Sequence, residues 1–358
     1  MLSNPATLLP VALTPSRSLS LEYKKYAIVG DYWSTLDAQN ATDFAELSGA
    51  GQVIRGLLAG AGIAEEDCFF TNVFRFQPPG DSLFSSFVTK PNGIEGYGPL
   101  EPGKYIPSSF APELTRLHAE LAAVNPVVTI LLGNLPLWAV CRMSGIKKHR
   151  GTPMPSYLTG AKVIPTWHPL MILKNWKQRP IAAADIDKVR RQSEFREVRR
   201  PQREVFYAPS LNDIQNYYWK YLEPAPFLST DIETKMGQIT EIGFSPSPDR
   251  AIVIPFYSRE QEDGNYWRTL SEERMAWRWV RKIMKIKEHI GQNFLYDMQY
   301  LWRTAGIPSN AVGDTMLLHH TLQPEMEKGL GFLGSIYTDE PSWKFMRADH
   351  DTLKKGDD

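Results

Sequence analysis

Along residues 26–200, short unbroken apolar runs alternate with longer segments whose apolar positions recur every three or four residues. The runs YAIVG (26–30), CFFTNVF (68–74), VVTILLG (127–133) and KVIPTW (162–167) are β-branched or aromatic and predict strands. The segments SGAGQVIRGLLAGAG (48–62), PELTRLHAELAAV (112–124) and LPLWAVCRMSG (135–145) predict helices. Strand and helix in alternation predict an α/β domain, a mostly parallel sheet with helices on both faces in three layers. Ligands of such sheets bind beyond the carboxyl ends of the strands. Asp31, Asn72, Asn134 and His168 fall at those ends. Each alone is a common turn former or a structural histidine. Together, a carboxylate, an amide and an imidazole form a chemically complementary set on one rim.

The pattern changes after a Lys- and Arg-rich stretch from Asn175 to Arg203. That stretch reads as a solvated helix and linker ended by Pro201, or as a phosphate-contacting strip with salt-dependent affinity. Beyond it, APFLSTDIETKMGQITEIGFSPSPDRAIVIPFY predicts three strands separated by turns. Side chains alternate along a strand, so Asp231 and Glu233 share a face. Two such carboxylates repel unless a cation lies between them, and hard ions such as Mg²⁺ accept oxygen ligands of this kind. In GQNFLYDMQYL (291–301), Asn293 and Asp297 are four apart, which predicts one face of a helix.

The 358-residue length suggests two domains. The boundaries expected are an arm at 1–20, a first domain at 21–200, a second at 203–345 and a charged tail at 346–358. Lys plus Arg and Asp plus Glu both total 40, so bulk charge says nothing for a nucleic-acid partner and only local patches could. Cys68 and Cys141 are too few for a disulfide framework or a cysteine metal site, which fits a cytoplasmic protein. No apolar run approaches the ~20 residues of a membrane span. The first twenty residues lack the basic and apolar regions of a signal peptide.

The motifs of the first half resemble the uracil-DNA glycosylase superfamily, nearest its iron–sulfur branch. TNVFRFQPPG (71–80) is similar to that branch's strand end, basic residue and Pro-Pro; IKKHRG (146–151) matches its Arg-Gly; PTWHP (165–169) matches its Pro-Thr-aromatic-His-Pro. GDYWS (30–34) stands where the family has Gly-Glu-x-Pro-Gly. The resemblance covers about Tyr26 to Arg191. It implies Asp31 as the carboxylate, His168 as the electrophile and Asn72 as the base reader. It further implies Phe44 as the ring that stacks on the base, and Leu170 and Met171 as a wedge in the DNA. The family's cluster cysteines are absent, Phe76 occupying one of their positions, so no iron–sulfur cluster is expected.

The second half, from about 203 to 345, resembles the DEDD-type 3′–5′ exonuclease domain of family A DNA polymerases, a ribonuclease-H-like fold with a mixed sheet. Asp-x-Glu at 231–233, Asn-x-x-x-Asp at 293–297 and GDTMLLHHTLQPEMEKGLGFLGSIY (313–337) carry the likeness. It implies Asp231, Glu233 and Asp297 as Mg²⁺ ligands, with Asn293 in support. The family's fourth carboxylate lies in a Tyr- or His-x-x-x-Asp helix that DHDTLKKGDD (349–358) does not match. The expectation is therefore a truncated exonuclease domain, with little activity unless a DNA polymerase segment completes it. The two halves together resemble the front end of certain bacteriophage DNA polymerases, which implies DNA as partner and a bacterial or phage-infected cell. The function expected is uracil or modified-base recognition and glycosidic-bond hydrolysis in DNA repair and replication. The competing reading is a non-catalytic base sensor or replisome-docking module of a split polymerase, favoured by the substituted GDYWS loop. A standalone nuclease is the third.

Overall fold

The computed structural model describes residues 23–340 apart from Leu158, and the chain divides after Val198 into two compact units. The expected arm at 1–20 and tail at 346–358 lie outside the described residues.

In the first unit, β1 (Tyr26–Tyr32), β2 (Cys68–Phe74), β3 (Val128–Leu132), β4 (Met154–Pro155) and β5 (Lys162–Thr166) form a sheet ordered β2-β1-β3-β5-β4. All pairs are parallel except β4 with β5. The helices are α1 (Thr35–Asn40), α2 (Gly49–Gly60), α3 (Ala111–Val124), α4 (Asn134–Cys141), α5 (Ile146–His149), α6 (Pro169–Lys174) and α7 (Arg179–Gln192). Successive strand residues serve opposite faces. Ile28, Ile130 and Ile164 pack with Ile54, Leu58 and Ile186, while Val29, Leu131 and Val163 pack with Leu117 and Trp138. Two buried faces explain why these strands read as unbroken apolar runs. The helix expected to reach residue 145 stops at Cys141, because Arg142 turns into the left-handed region (φ 56).

The basic stretch is only partly solvated. Ile181, Ala182, Ile186 and Val189 of α7 are buried, and so are Asp185 and Lys188. Asp185 pairs with Arg150 (Nε to Oδ2, 3.0 Å) and accepts from Thr166 Oγ1 at 2.7 Å. Lys188 Nζ donates to the Gly151 carbonyl at 2.7 Å. These bonds fasten α7 to the segment leading into β5. The helix ends at Gln192, well ahead of Pro201, so the proline does not terminate it.

In the second unit, β6 (Glu204–Phe206), β7 (Leu228–Lys235), β8 (Gln238–Ser247), β9 (Arg250–Pro255), β10 (His289–Gly291) and β11 (Ala311–Asp314) are ordered β11-β10-β7-β8-β9-β6. The meander β7-β8-β9 is antiparallel, and β10 and β11 add in parallel. This is the ribonuclease-H-like arrangement expected from the sequence. The helices are α8 (Leu211–Tyr217), α9 (Leu270–Ile286), α10 (Leu295–Ala305), α11 (Thr315–Leu322) and α12 (Leu330–Tyr337). The core gathers Phe244, Ile252, Val280 and Ile283, and Trp277 of α9 stacks on Phe256 at 3.9 Å. Among the described residues, no helix is long and apolar enough to cross a membrane.

Arg150 is 4% exposed and Asp185 is fully buried. Removing one partner leaves an uncompensated buried charge, so Arg150→Ala is expected to destabilise the first unit by about 3–5 kcal/mol in urea unfolding. A loss of under about 1 kcal/mol, typical of a surface pair, would contradict this.

Candidate active sites

Asp31 lies near the end of β1, and His168 is the N-cap of α6, just after β5. His168 Nδ1 accepts the Leu170 backbone N–H at 3.2 Å. In the neutral ring the proton therefore sits on Nε2, which stands 3.9 Å from Asp31 Oδ2. Between them passes Gly133, with φ at +101; a Cβ there would meet His168 Cβ at 3.1 Å and Asp31 Oδ1 at 3.5 Å. The Asp31 side chain keeps 28% of its surface open, yet Oδ1 is buried and has no hydrogen-bond partner among the described residues. Desolvation by the surrounding protein pushes its carboxyl above the ordinary range, and the nearby His168 offsets this in part.

Asn72 is inside β2, level with Gly30 of β1 and not at the strand's end. A Cβ on Gly30 would lie 2.4 Å from both Asn72 Oδ1 and Phe44 Cζ, so the bare glycine lets the amide and the ring approach. Phe44 has φ 54 and its carbonyl accepts from Arg55 Nη1 at 2.8 Å. Two pairs thus result, Asp31 with His168 and Asn72 with Phe44, joined through consecutive residues of β1. Asn134 does not belong to them; its side chain accepts from Gly145 N at 2.7 Å and holds the loop after α4. Leu170 and Met171 are half-exposed on the first turn of α6.

Sequence reading missed the polar lattice behind Asn72. Asn72 Nδ2 donates to Asp43 Oδ1 at 2.9 Å, and Trp33 Nε1 donates to the same oxygen at 2.8 Å. Arg75 bridges Asp43 and Glu120, and Arg116 ties Glu120 and Glu113 to the Asn72 carbonyl. The spacing of Glu113, Arg116 and Glu120 at three and four residues on α3 was its one readable signal.

In the second unit, Asp231 is exposed and Glu233 half-exposed, with Ile232 buried between them. The alternation therefore puts both carboxylates on one side of β7. Asp297 is buried in the first turn of α10, where Oδ1 accepts the Ile232 N–H at 2.9 Å. Its carboxyl is pushed up to about 6, chiefly by burial, with Asp231 and Asp314 adding repulsion. Asn293 departs from the expectation. It precedes α10 in the left-handed region (φ 55), so it shares no helical face with Asp297. Its N–H donates to Asp314 Oδ1 at 3.0 Å, and Phe294 N to Oδ2 at 2.8 Å. Among the described residues, no three His, Cys, Asp or Glu side chains stand close enough to hold a metal ion. Cys68 and Cys141 are buried thiols, each pushed up to about 12 by desolvation.

Residues 24–196 match the family model of the uracil DNA glycosylase superfamily. The chain is 30% identical over 145 residues to the type-4 uracil-DNA glycosylase of Thermotoga maritima, covering 39% of this chain and 64% of that protein. It is 24% identical over 306 residues to the DNA polymerase of Bacillus phage SP01, covering 75% of this chain and 30% of the polymerase. The chain thus spans less than two thirds of either relative. Among solved structures, the EXD2 exonuclease domain soaked in Mn and GMP aligns at 13% identity and TM-score 0.26, over 42% of this chain and 84% of that one.

The raised Asp297 has a signed consequence. Its stabilising contribution is full below about pH 4 and is lost as pH rises through about 6. Asp297→Asn keeps an acceptor for Ile232 N, so in EDTA it should stabilise the second unit by on the order of 2 kcal/mol at about pH 8 and by less at about pH 5. Urea unfolding at the two pH values checks this; equal effects at both would show that the carboxylate is not strained.

Proposed function

From the match of residues 24–196 to the uracil DNA glycosylase superfamily, we propose that the first unit binds uracil, or a modified relative, in DNA and hydrolyses its N-glycosidic bond. The observation that carries this reading is the facing of His168 Nε2 and Asp31 Oδ2 at the carboxyl ends of β5 and β1, the two strands that flank β3. The base leaves the helix to reach the site, with Leu170 and Met171 as the wedge. Phe44 stacks on it, and the Asn72 amide, both donor and acceptor, reads its edge. Cleavage develops positive charge on the sugar and negative charge on the departing base. Ionised Asp31 stabilises the first and orients water; the His168 Nε2–H donates to a uracil oxygen and stabilises the second.

For the second unit, the proposal is a 3′–5′ exonuclease site. Asp231, Glu233 and Asp297 are the residues that would hold Mg²⁺; they do not stand close enough together here to ligate one ion, so binding would draw them in. The repulsion that Asp231 and Asp314 exert on buried Asp297 is the kind of excess negative charge a cation relieves. When bound, such ions align a water with the scissile phosphate and stabilise the leaving 3′ oxygen. Asn293 supports the site through the backbone, by fixing the entry to α10. A DNA polymerase is the partner proposed for this site, in keeping with the similarity to a phage DNA polymerase. The setting proposed is DNA repair and replication inside a bacterial or phage-infected cell.

A base-sensing module without catalysis is the second reading, favoured by the bulk of half-buried Trp33 beside the base reader. Oligonucleotides carrying one deoxyuridine, single- and double-stranded, separate the two when assayed in EDTA and in Mg²⁺. Abasic sites should form equally in both, since no step at Asp31, Asn72 or His168 uses an ion; binding without cleavage would favour the sensor. His168→Ala should slow excision by about 10² to 10³, the scale of one lost oxyanion donor, and an unchanged rate would move the electrophile elsewhere. Because ionised Asp31 is the working form and its pKa is raised, excision should fall on acidification earlier than an ordinary aspartate would dictate. In Asp31→Asn, that acidic limb should disappear along with most of the rate.

A further inference from the structure

We propose that Asp43 is a positioning residue that locks the Asn72 amide in the one orientation that pairs with uracil and rejects cytosine, an inference that rests on the glycosylase reading above. The Asp43 side chain is only 9% exposed. Its Oδ1 accepts from Asn72 Nδ2 at 2.9 Å and from Trp33 Nε1 at 2.8 Å, and its Oδ2 from Arg75 Nε at 3.0 Å.

An ionised carboxylate has acceptors and no donor. It therefore decides which end of the neighbouring amide faces it. Turning the Asn72 amide over would set Oδ1 against Asp43 Oδ1, lone pair against lone pair, in a place with little water to relieve it. As it stands, Asn72 offers Oδ1 and its second N–H to a ligand. Uracil presents an acceptor at O4 and a donor at N3, which complement that pair. Cytosine presents a donor at the amino group and an acceptor at N3, the reverse. The discrimination thus depends on an atom that touches no base.

The other two donors keep Asp43 itself from turning. Trp33, in the GDYWS loop, supplies an indole N–H to the oxygen that holds Asn72. Arg75 balances the charge and is held in turn by Glu120 at 2.6 Å. The bulky residue of that loop is a component of base reading on this view, and not an obstruction to it.

Asp43→Asn preserves shape and, unlike the carboxylate, tolerates either face of the Asn72 amide. The full chain should keep its melting transition within a few degrees while inhibition by free uracil weakens about tenfold, the scale of one charge-assisted hydrogen bond. Inhibition by free cytosine should strengthen, and the uracil-to-cytosine excision ratio should fall at least tenfold, through KM more than kcat. Trp33→Phe, which leaves the Arg75 pair intact, should move the same quantities in the same direction by less. Unchanged base preference in folded Asp43→Asn overturns the proposal. If the wild type excises no uracil, the glycosylase reading fails on its own, and the Asn72 side-chain amide resonances, identified by their loss in Asn72→Asp, still decide the positioning. Slow hydrogen exchange of that amide in wild type and fast exchange in Asp43→Asn supports the proposal; identical exchange sinks it.

Discussion

A carboxylate removed from water must be compensated, and much of this chain's polar architecture answers that constraint. Asp185 has the fullest set of partners, Arg150 and the Thr166 hydroxyl, although burial still pushes its carboxyl above the ordinary range, and it serves as a rivet between α7 and the strand region. Asp31 is compensated only in part, with one oxygen toward His168 and the other without a partner among the described residues. Asp297 has one backbone N–H and two acidic neighbours. The gradient runs from the best-partnered group, which holds the fold, to the less satisfied ones, which are the carboxylates the proposed sites use.

Both units place these carboxylates by the same geometric device. A strand delivers a side chain to a position fixed by backbone pairing, and a neighbouring element supplies the second group from its first turn: His168 at the start of α6, Asp297 at the start of α10. Helix starts suit this work because their N–H groups are directional donors, as Leu170 N is to His168. Close approach then requires missing side chains, which Gly30 within β1 and Gly133 just past the end of β3 provide.

The fold was legible in the sequence where burial was regular. CFFTNVF spans β2 residue for residue because both sheet faces are covered, and Asp231 and Glu233 share a side because period-two alternation holds in β7 as far as Glu233, where a bulge breaks it. Asn293 was misjudged because four-residue spacing implies a shared face only once the helix has begun, and here it begins at Leu295. The lattice of Asp43, Arg75, Arg116 and Glu120 stayed hidden for a different reason. Apart from the four-residue spacing of Arg116 and Glu120 on α3, its members come from separate elements and meet only after the sheet assembles, so no local periodicity marks the set. Burial of Lys188 within a basic stretch was likewise invisible, since composition suggests solvent where the helix places a carbonyl partner.

Asp314 separates two properties that are usually found together. Its oxygens accept from the backbone of Asn293, Phe294 and Met316, so they point into a nest of N–H groups. Its charge nevertheless reaches Asp297. It therefore raises the cost of a negative charge on Asp297 through space, while its own oxygens stay committed to the backbone that opens α10 and α11.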